Sequence, residues 1–282
     1  MKKLIFVADL FAEQYVGGAE LTTDALMNKC ATKYEIIKVR CEAVTQEFIL
    51  NNKDEKFIIC NFSSLSDKSK ILLCKSCNYQ IVEYDYKFCK YRSLEKHLAA
   101  EKKPCDCMEI DQGKINKIFY GYARKIWFMS EEQKNIFIAN VPTVKQEKCE
   151  VLSSIFSVGD LRFIDSIKDN EKDENYLILN SNSWIKNTKG CVDYALRNNL
   201  NYKLIQGLPY HEVLIKMSTS KGLIFQPSGG DTCPRIVIEA KMLGCDIKLN
   251  DSVQHKNEQW FSNQQSCYDY MSSRAQHFME NV

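Results

Sequence analysis

Short apolar runs recur along this chain, and longer stretches with helical spacing separate most of them. The runs occupy residues 4–8, 36–39, 57–62, 80–84, 126–129 and 150–152, and then 176–179, 202–205, 222–225 and 246–249. Such alternation is typical of parallel sheets covered by helices on both faces. The sequence therefore predicts an α/β fold built from doubly wound, Rossmann-like units.

The length of 282 residues, with 45% hydrophobic content, favours two domains. Residues 165–175 (DSIKDNEKDEN) are mostly charged or Asn and offer almost nothing to bury, which indicates a solvated connector. We therefore predict an N-terminal domain over residues 1–165 and a smaller C-terminal domain over residues 166–282, with a cleft between them.

Charge and hydropathy exclude several classes of protein. Lys and Arg number 38 against 36 Asp and Glu, and a net charge of +2 does not favour binding to duplex nucleic acid. Asp9 and Glu13 interrupt the apolar N-terminus, and no segment approaches the roughly 20 apolar residues of a membrane span. The thirteen cysteines suit reduced thiols in a chain this large. We expect a soluble, cytoplasmic protein.

The segment over residues 222–250 carries the most information about function. An apolar strand ends near Pro227, Gly229 and Gly230 form a turn, and Pro234 opens a helix that Gly244 ends. A glycine turn at a helix start leaves backbone N–H groups directed at the carboxyl edge of the sheet, where a diphosphate binds favourably. The segment therefore predicts a phosphate site.

Two acids, Asp231 and Glu239, bracket this turn and are separated by seven residues. The segment resembles the acid-x7-acid signature of retaining glycosyltransferases of the GT-B fold, particularly glycosyltransferase family 4. The resemblance implies that Asp231 faces the donor sugar and that Glu239 binds the nucleotide ribose. It assigns the diphosphate to the loop and helix start, namely Gly229, Gly230, Thr232, Cys233, Pro234 and Arg235. Without that resemblance, Asp231 is a loop cap and Glu239 a solvated helix residue.

Two further segments resemble the same family. Gly17 and Gly18 follow the first strand and resemble the family's first loop, which faces the donor phosphates; the alternative is a plain loop before a helix. After the strand at 176–179, the segment with Asn182, Lys186 and Lys189 resembles the family's basic residue followed by Lys-Gly. Cations here would stabilise the departing diphosphate without a metal. The family's usual Gly-Arg is absent, so Lys186 takes its place, or both lysines are solvated.

Metal-binding patterns are weak in this sequence. No Asp-x-Asp occurs; the nearest approach is Glu83-Tyr84-Asp85, where Asp85 is either an acceptor-side carboxylate or an ordinary strand end. Cys74, Cys77, Cys89, Cys105 and Cys107 fall close enough in sequence to consider zinc, but atypical spacing favours thiols that simply pack or lie near the acceptor. The four histidines form no metal motif, and the lone His255 suits a structural role.

These observations favour a retaining, metal-independent glycosyltransferase that needs a nucleotide-sugar donor and no other cofactor. The acceptor hydroxyl could belong to a glycan, a lipid-linked sugar, a protein or a modified base. The alternative is a non-catalytic protein of the same fold that binds a nucleotide or a sugar phosphate. A Rossmann dehydrogenase is disfavoured because no Gly-x-Gly-x-x-Gly follows any predicted strand.

Overall fold

The computed structural model describes residues 2–282, and the chain forms two compact units. The first unit contains the residues up to Ile155 together with Arg274–Val282, and the second contains Phe156–Ser273. No helix within residues 2–282 has the length and apolar character that crossing a membrane requires.

The first unit is built on a six-stranded parallel sheet with the strand order β2-β1-β3-β4-β5-β6. Its strands are β1 (Lys3–Ala8), β2 (Glu35–Arg40), β3 (Lys56–Ile59), β4 (Asn78–Glu83), β5 (Ile126–Phe128) and β6 (Cys149–Val151). Its helices are α1 (Gly18–Cys30), α2 (Gln46–Asn51), α3 (Asp67–Ser76), α4 (Leu94–Glu101), α5 (Asp111–Tyr122) and α6 (Glu131–Asn140).

The second unit is built on a four-stranded parallel sheet with the order β10-β9-β7-β8. Its strands are β7 (Tyr176–Leu179), β8 (Tyr202–Ile205), β9 (Gly222–Phe225) and β10 (Asp246–Leu249). Its helices are α7 (Val158–Ile167), α8 (Thr188–Arg197), α9 (Tyr210–Ser218), α10 (Arg235–Met242) and the start of α11 (Gln264–Glu280).

Burial explains why the strands are recognisable in the sequence. Residues 4–7 of β1 and all of β9 are fully enclosed, as expected for central parallel strands covered on both faces. Every predicted apolar run forms a strand, which confirms the α/β prediction with two parallel sheets. The run at residues 57–62 continues beyond β3, where the Cys60 N–H donates to the Val7 carbonyl (2.8 Å) and the Asn61 side chain contacts Glu20 of α1 and Arg92.

The division between the units differs from the predicted bounds. Helix α7 runs into the charged stretch at 165–175, so only the part after Ile167 is a connector. Helix α7 belongs to the second unit because it packs on α9 and α10. At the other end of the chain, Arg274 donates to the carbonyls of Val151 and Leu152, and Phe278 packs on Trp127. The C-terminal residues therefore belong to the first unit.

Each sheet has a point where the direction of strand addition reverses. In the first sheet it lies between β1 and β3, and in the second sheet between β7 and β9. In open parallel sheets, ligands bind beyond the carboxyl ends of the strands at such a switch point. The loops that follow β7 and β9 are the two segments of the second unit in which the sequence predicted donor-binding residues, and Gly17 and Gly18 follow β1 in the first unit.

Candidate functional site

The loop at residues 226–234 connects β9 to α10 and is held on both sides by side-chain amides. Asn187 Nδ2 donates to the Gln226 carbonyl (2.7 Å), and Asn250 Nδ2 donates to the Pro227 carbonyl (2.9 Å). Asp231 forms a short parallel bridge with the segment after β10, because its N–H donates to the Ser252 carbonyl at 2.9 Å. The predicted phosphate loop is therefore fixed in position.

Helix α10 begins and ends close to where the sequence placed it. Pro234 is the N-cap, with φ −63° and ψ 113°, one residue before the helix rather than at its first position. Gly244 has a φ of +67°, and the N–H of Cys245 donates to the Ala240 carbonyl (2.9 Å). These contacts form the glycine-terminated helix end that the sequence predicted.

The structure brings two of the predicted catalytic residues together. Lys186 Nζ lies 2.9 Å from Asp231 Oδ2, and Lys186 also lies over the Phe225 ring at 5.1 Å. The Lys186 side chain is 29% exposed and that of Asp231 14%. Since Lys186 follows β7 and Asp231 follows β9, this ion pair spans the switch point of the second sheet.

Lys189 and Asn182 lie on the surface near this pair. Lys189 occupies the first turn of α8, is exposed, and makes no side-chain hydrogen bond or ion pair with any residue in the range 2–282. Asn182 is exposed in the preceding loop. Asn187 caps α8 by accepting from the Gly190 N–H (3.2 Å), and a Cβ on Gly190 would lie 2.3 Å from that cap. The glycine of the Lys-Gly pair is needed for the cap.

Arg235 and Glu239 contact each other inside the second unit. Arg235 Nε donates to Glu239 Oε1 at 3.1 Å, and the Tyr210 hydroxyl donates to the same oxygen at 2.8 Å. Arg235 also pairs with Asp160 (3.2 Å) and stacks on Phe156 (3.8 Å). Arg235 and Glu239 are 6% and 3% exposed.

In the Arg235–Glu239 pair, burial has the largest effect on the pKa of each residue. Burial raises the pKa of Glu239, and the Arg235 charge and the Tyr210 hydrogen bond oppose that rise.

Thr232 and Cys233, each 7% exposed, lie in the loop just before the helix, with Gly229 buried and Gly230 half-buried. The predicted donor residues therefore form two groups: the partly accessible Lys186 and Asp231, and the enclosed Arg235 and Glu239.

In the first unit, Gly17 is the N-cap of α1 and Gly18 its first residue. A Cβ on Gly17 would lie 2.5 Å from Glu20 Oε2 and 2.7 Å from the Tyr15 ring, so a side chain there would displace both. Asn61 Nδ2 donates to Glu20 (3.4 Å). Burial raises the pKa of Glu20, and this hydrogen bond opposes the rise.

Asp85 belongs to a cluster of charged side chains beyond β4, which we call the first-unit cluster: Glu83, Asp85, Lys87 and Arg92. Lys87 Nζ contacts both Glu83 (3.0 Å) and Asp85 (3.1 Å), and Arg92 Nε donates to Asp85 (2.7 Å). Burial raises the pKa of Asp85, but Lys87 and Arg92 outweigh it and hold the pKa below its usual value. Asp85 is 22% exposed.

Further contacts fix this cluster. The Tyr120 hydroxyl donates to Glu83 Oε2 (2.5 Å), and Gln133 Nε2 donates to the carbonyls of Glu83 (3.0 Å) and Asp85 (2.9 Å). A cavity of about 220 Å³ lies beside it. Its lining includes four cationic side chains: Lys70, Lys87, Lys90 and Arg92.

Sequence reasoning did not identify Asp9, Asn61, Lys87 or Arg92. Asp9 accepts from the N–H groups of Ser63 (2.9 Å) and Ser64 (2.8 Å), which joins the loops after β1 and β3 at the switch point of the first sheet. Arg92 Nη2 donates to Asn61 (3.3 Å). The available signal for Asp9 was its position just past the apolar run at 4–8, and for Asn61 it was a polar residue inside the apolar run at 57–62.

No protein-family model and no curated protein sequence matches this chain. Similarity appears among solved structures. The chain resembles Alr3699/HepE of Anabaena, crystallised with UDP and glucose, at 10% identity and a TM-score of 0.57, covering 100% of this chain and 95% of that one. It resembles WaaG, a glycosyltransferase involved in lipopolysaccharide biosynthesis, at 12% identity and a TM-score of 0.59, covering 99% and 95%.

A third similar structure is the catalytic domain of starch synthase IV from Arabidopsis thaliana, bound to ADP and acarbose. Its identity is 7% and its TM-score 0.57, with 99% of this chain and 98% of that chain covered. Identities this low show the fold alone, but the likeness extends over both units. The chain therefore has the GT-B fold, the two-domain architecture of nucleotide-sugar glycosyltransferases.

Proposed function

We propose that this protein is a retaining glycosyltransferase that transfers a sugar from a nucleoside diphosphate sugar to an acceptor hydroxyl without a divalent metal. The observation that carries the proposal is the Lys186–Asp231 pair at 2.9 Å, which joins the loops after β7 and β9 in a GT-B fold. Ligands of open parallel sheets bind at that point. The second unit is thus the donor-binding domain in this proposal.

The leaving group explains the need for cations. As the sugar departs, negative charge grows on the diphosphate, and fixed positive groups stabilise that charge more than they stabilise the bound donor. Lys186 and the exposed Lys189 supply two positive charges near the start of α8. Two lysines would therefore replace a divalent ion. Retention of the anomeric configuration is proposed from the resemblance to glycosyltransferase family 4.

The two acids divide the donor between them in this proposal. Asp231, 14% exposed and already hydrogen-bonded to a lysine, faces the sugar. Glu239 takes the ribose, and this role requires the ribose hydroxyls to replace the Tyr210 hydroxyl, which now donates to it at 2.8 Å. The loop with Gly229, Gly230, Thr232 and Cys233 would hold the diphosphate together with Asn182. The same role for Gly17 and Gly18 in the first unit stays a prediction from the family resemblance.

The acceptor would bind to the first unit. The cavity of about 220 Å³ beside the first-unit cluster is smaller than the roughly 300–1,000 Å³ of pockets for drug-sized ligands, and it is lined by hydrogen-bond donors such as Arg92 and Asn116. Asp85 contacts the lining residues Lys87 and Arg92, and in this proposal it orients the acceptor hydroxyl from beside the cavity. A cytoplasmic location is part of the proposal, because thirteen free thiols suit a reducing compartment.

Binding alone is the competing function, and one observation favours it. Arg235 and Glu239 are already paired inside the second unit, so two predicted donor contacts are occupied by protein groups. A non-catalytic protein of the same fold would bind a nucleotide and leave its sugar ester intact. The two functions differ in whether the donor is consumed.

The test begins with a thermal-shift screen of UDP, GDP and ADP, with UDP first because Alr3699/HepE was crystallised with it. A ligand at 100 times its dissociation constant adds about 2.7 kcal/mol to the free energy of unfolding. The matching nucleotide sugar is then incubated with the protein and with Asp231→Asn, and release of diphosphate is measured. We expect release by the wild-type protein only. Binding without release favours the non-catalytic function, and no binding contradicts both.

Metal independence has its own readout in the same assay. Addition of Mg²⁺ or Mn²⁺ should leave the rate of donor turnover unchanged, because lysines rather than a metal balance the diphosphate. The anomeric configuration of the first product, followed by NMR, checks retention. Stimulation by either ion, or an inverted product, would contradict the corresponding part of the proposal.

A further inference from the structure

Four potential metal ligands converge in the first unit, whereas the loops assigned to the donor belong to the second unit. The Sγ atoms of Cys89, Cys105 and Cys107 and a ring nitrogen of His97 all lie within 4.8 Å of one another. Cys89, His97 and Cys107 are buried, and Cys105 is half-buried. We call this group the Cys3His cluster.

The spacing within the Cys3His cluster matches a tetrahedral zinc site. His97 Nδ1 lies 3.6 Å from Cys89 Sγ and 3.5 Å from Cys107 Sγ. Around tetrahedral Zn²⁺, Zn–S bonds of about 2.3 Å and Zn–N bonds of about 2.0–2.1 Å place ligand S and N atoms about 3.6 Å apart. These two nitrogen–sulfur separations therefore match those around tetrahedral zinc, and the remaining pairs of ligand atoms lie within 4.8 Å.

We propose that Cys89, His97, Cys105 and Cys107 bind one structural Zn²⁺. Three sulfur donors and an imidazole suit Zn²⁺ and disfavour the oxygen-seeking ions Mg²⁺ and Ca²⁺. Four protein ligands complete a tetrahedral shell and leave no open position for water or substrate, which is the arrangement of structural rather than catalytic zinc. The proposal is thus compatible with metal-independent sugar transfer.

The surroundings of His97 provide an independent observation. His97 is 1% exposed, and its Nε2 has no hydrogen-bond partner among the described residues. Asp106 Oδ1 lies 3.8 Å from this nitrogen. A zinc-bound histidine characteristically donates its other ring N–H to a carboxylate, which fixes the ring and strengthens the ligand. Zinc on Nδ1 would hold Nε2–H towards Asp106, so Asp106 is a positioning residue.

The backbone around the cluster is also arranged for ligation. The Lys90 N–H donates to Cys107 Sγ (3.4 Å), which fixes the position of that sulfur. A Cβ on Gly113 would lie 1.9 Å from the Cys107 carbonyl oxygen, so only glycine lets α5 pack this closely on the segment that carries Cys107. The ligand-bearing segment is thus held in place by α5.

Sequence reasoning raised zinc for this region with a different set of cysteines. Cys74 lies on α3 with its Sγ 3.3 Å from the Tyr79 hydroxyl, and Cys77 is the residue that ends that helix. Neither belongs to the Cys3His cluster. The histidine was missed because seven residues separate it from a cysteine on each side, outside the usual zinc-motif spacings. Cys74 is therefore the matched control.

The zinc would order the segment that borders the proposed acceptor cavity. Cys89 and Cys107 line that cavity with Arg92, and the segment between them contains α4. This consequence, unlike zinc binding itself, rests on the proposed function. Loss of zinc should raise the KM for acceptor and leave the affinity for the free nucleoside diphosphate unchanged, since the nucleotide is assigned to the second unit.

Metal analysis of the intact chain tests the proposal directly. The full-length protein, purified under reducing conditions from zinc-supplemented cells, should contain one zinc per chain by mass spectrometry. Cys107→Ser and His97→Ala should lose the zinc, and Cys74→Ser should keep it. A native protein without zinc, one that holds iron instead, or an equal loss in Cys74→Ser would overturn the assignment.

Two measurements on the unmutated protein keep the test valid if the variants fail to fold. Exchange of the native metal for Co²⁺ should give the intense thiolate-to-cobalt absorption of a tetrahedral sulfur-rich site. Thiol titration after denaturation with a chelator should give all thirteen cysteines as free thiols. A missing cobalt spectrum, or a disulfide between two cluster cysteines, would contradict the proposal.

The positioning role of Asp106 is tested by affinity. Asp106→Ala should lower the affinity for Zn²⁺ by about 10–100-fold in competition with a chromophoric chelator, as expected when a carboxylate behind a metal-bound histidine is removed. Lys103→Ala is the control, because Lys103 contacts Asp106 (2.5 Å) without contacting the histidine. An unchanged affinity in Asp106→Ala would remove Asp106 from the site.

Discussion

Charged residues follow strands in both units, but the two groups are arranged in opposite ways. In the first-unit cluster, Glu83 is fully buried, and its carboxylate accepts from Lys87 and Tyr120. In the second unit, Lys186 and Asp231 form a single ion pair that is partly exposed, and Lys189 nearby is exposed without a side-chain partner within residues 2–282.

This difference has a physical consequence for function. A buried carboxylate that loses its cation leaves an unpaired charge in the interior, which costs several kcal/mol. A partly exposed ion pair contributes about 0–1 kcal/mol, so an anionic ligand can compete for the lysine. Glu83 of the first-unit cluster is therefore expected to hold structure, and the lysines of the second unit to bind the diphosphate.

We expect the largest effect from the substitution Lys87→Met, which should lower the stability of the fold. This change leaves Glu83 buried without its cation, and breaking a buried pair from one side costs about 3–5 kcal/mol. Urea denaturation should show that decrease in the free energy of unfolding. Lys145→Met is the matched control, because Lys145 is 72% exposed and lies 3.7 Å from Glu147.

The double variant Glu83→Gln with Lys87→Met separates charge from packing. If uncompensated charge is the cause, removing the carboxylate charge as well should recover part of the lost stability, because Gln still accepts from Tyr120. If the double variant loses as much free energy of unfolding as Lys87→Met, or more, the loss comes from packing and not from an unpaired charge. That result would contradict the comparison between the two units.

The next effect is on catalysis, from Lys189→Ala. Removal of one group that stabilises transition-state charge should lower turnover at saturating donor by roughly ten to a thousandfold. The free energy of unfolding should not change, since the side chain is exposed. Lys203→Ala serves as the control, because Lys203 is also exposed in the second unit but pairs with Asp173 (2.8 Å) on another face. Unchanged turnover in Lys189→Ala would remove that lysine from the proposed mechanism.

The same comparison shows what the sequence could reveal. The phosphate loop, its glycines and the end of α10 lie within one contiguous segment, so turn and cap chemistry alone identify them from the order of residues. The first-unit cluster is different, because Arg92 and Tyr120 reach Glu83 and Asp85 from separate segments. Side chains that meet only after the chain folds leave no local pattern.

The buried pair in α10 is an intermediate case. Arg235 and Glu239 are four residues apart on one helix, a spacing that places side chains on the same face, so their contact was predictable from the sequence. Their burial was not, because it depends on Tyr210 from α9 and Asp160 from α7. The family resemblance gave both residues ligand roles and did not anticipate that they bind each other.

The third prediction tests those roles with Glu239→Gln and Asp231→Asn. A carboxylate that accepts from ribose hydroxyls makes charge-assisted bonds worth about 1.5–3 kcal/mol, so Glu239→Gln should weaken binding of the free nucleoside diphosphate by roughly ten to a hundredfold. Asp231→Asn should spare that binding and lower sugar transfer.

Calorimetric titration of both variants measures the difference, and their thermal unfolding is the control. Glu239→Gln also weakens the buried pair with Arg235, so a lower melting temperature is expected in that variant alone. Equal losses of nucleotide affinity in the two variants, or none in Glu239→Gln, would mean that the acids do not divide the donor.

The smallest expected effect concerns a buried titratable group that, unlike Glu83, has no partner. His255 in the second unit is 0% exposed, packs against Trp260 and Phe261, and neither ring nitrogen has a hydrogen-bond partner among the described residues. Burial lowers its pKa from 6.5 to about 3. The unfolded chain therefore takes up a proton below pH 6.5 that the folded chain does not, and stability falls by about 1.4 kcal/mol per pH unit from there towards pH 3.

His255→Phe keeps an aromatic ring against Trp260 and removes the titration, so the variant should lose about 2 kcal/mol less than the wild-type protein between pH 6.5 and pH 5. Urea denaturation at both values measures this difference directly, and His211→Phe, with a histidine that is 61% exposed, is the control. Parallel pH profiles for wild type and His255→Phe would mean that His255 is protonated in the folded protein, and that burial without a partner does not keep it neutral.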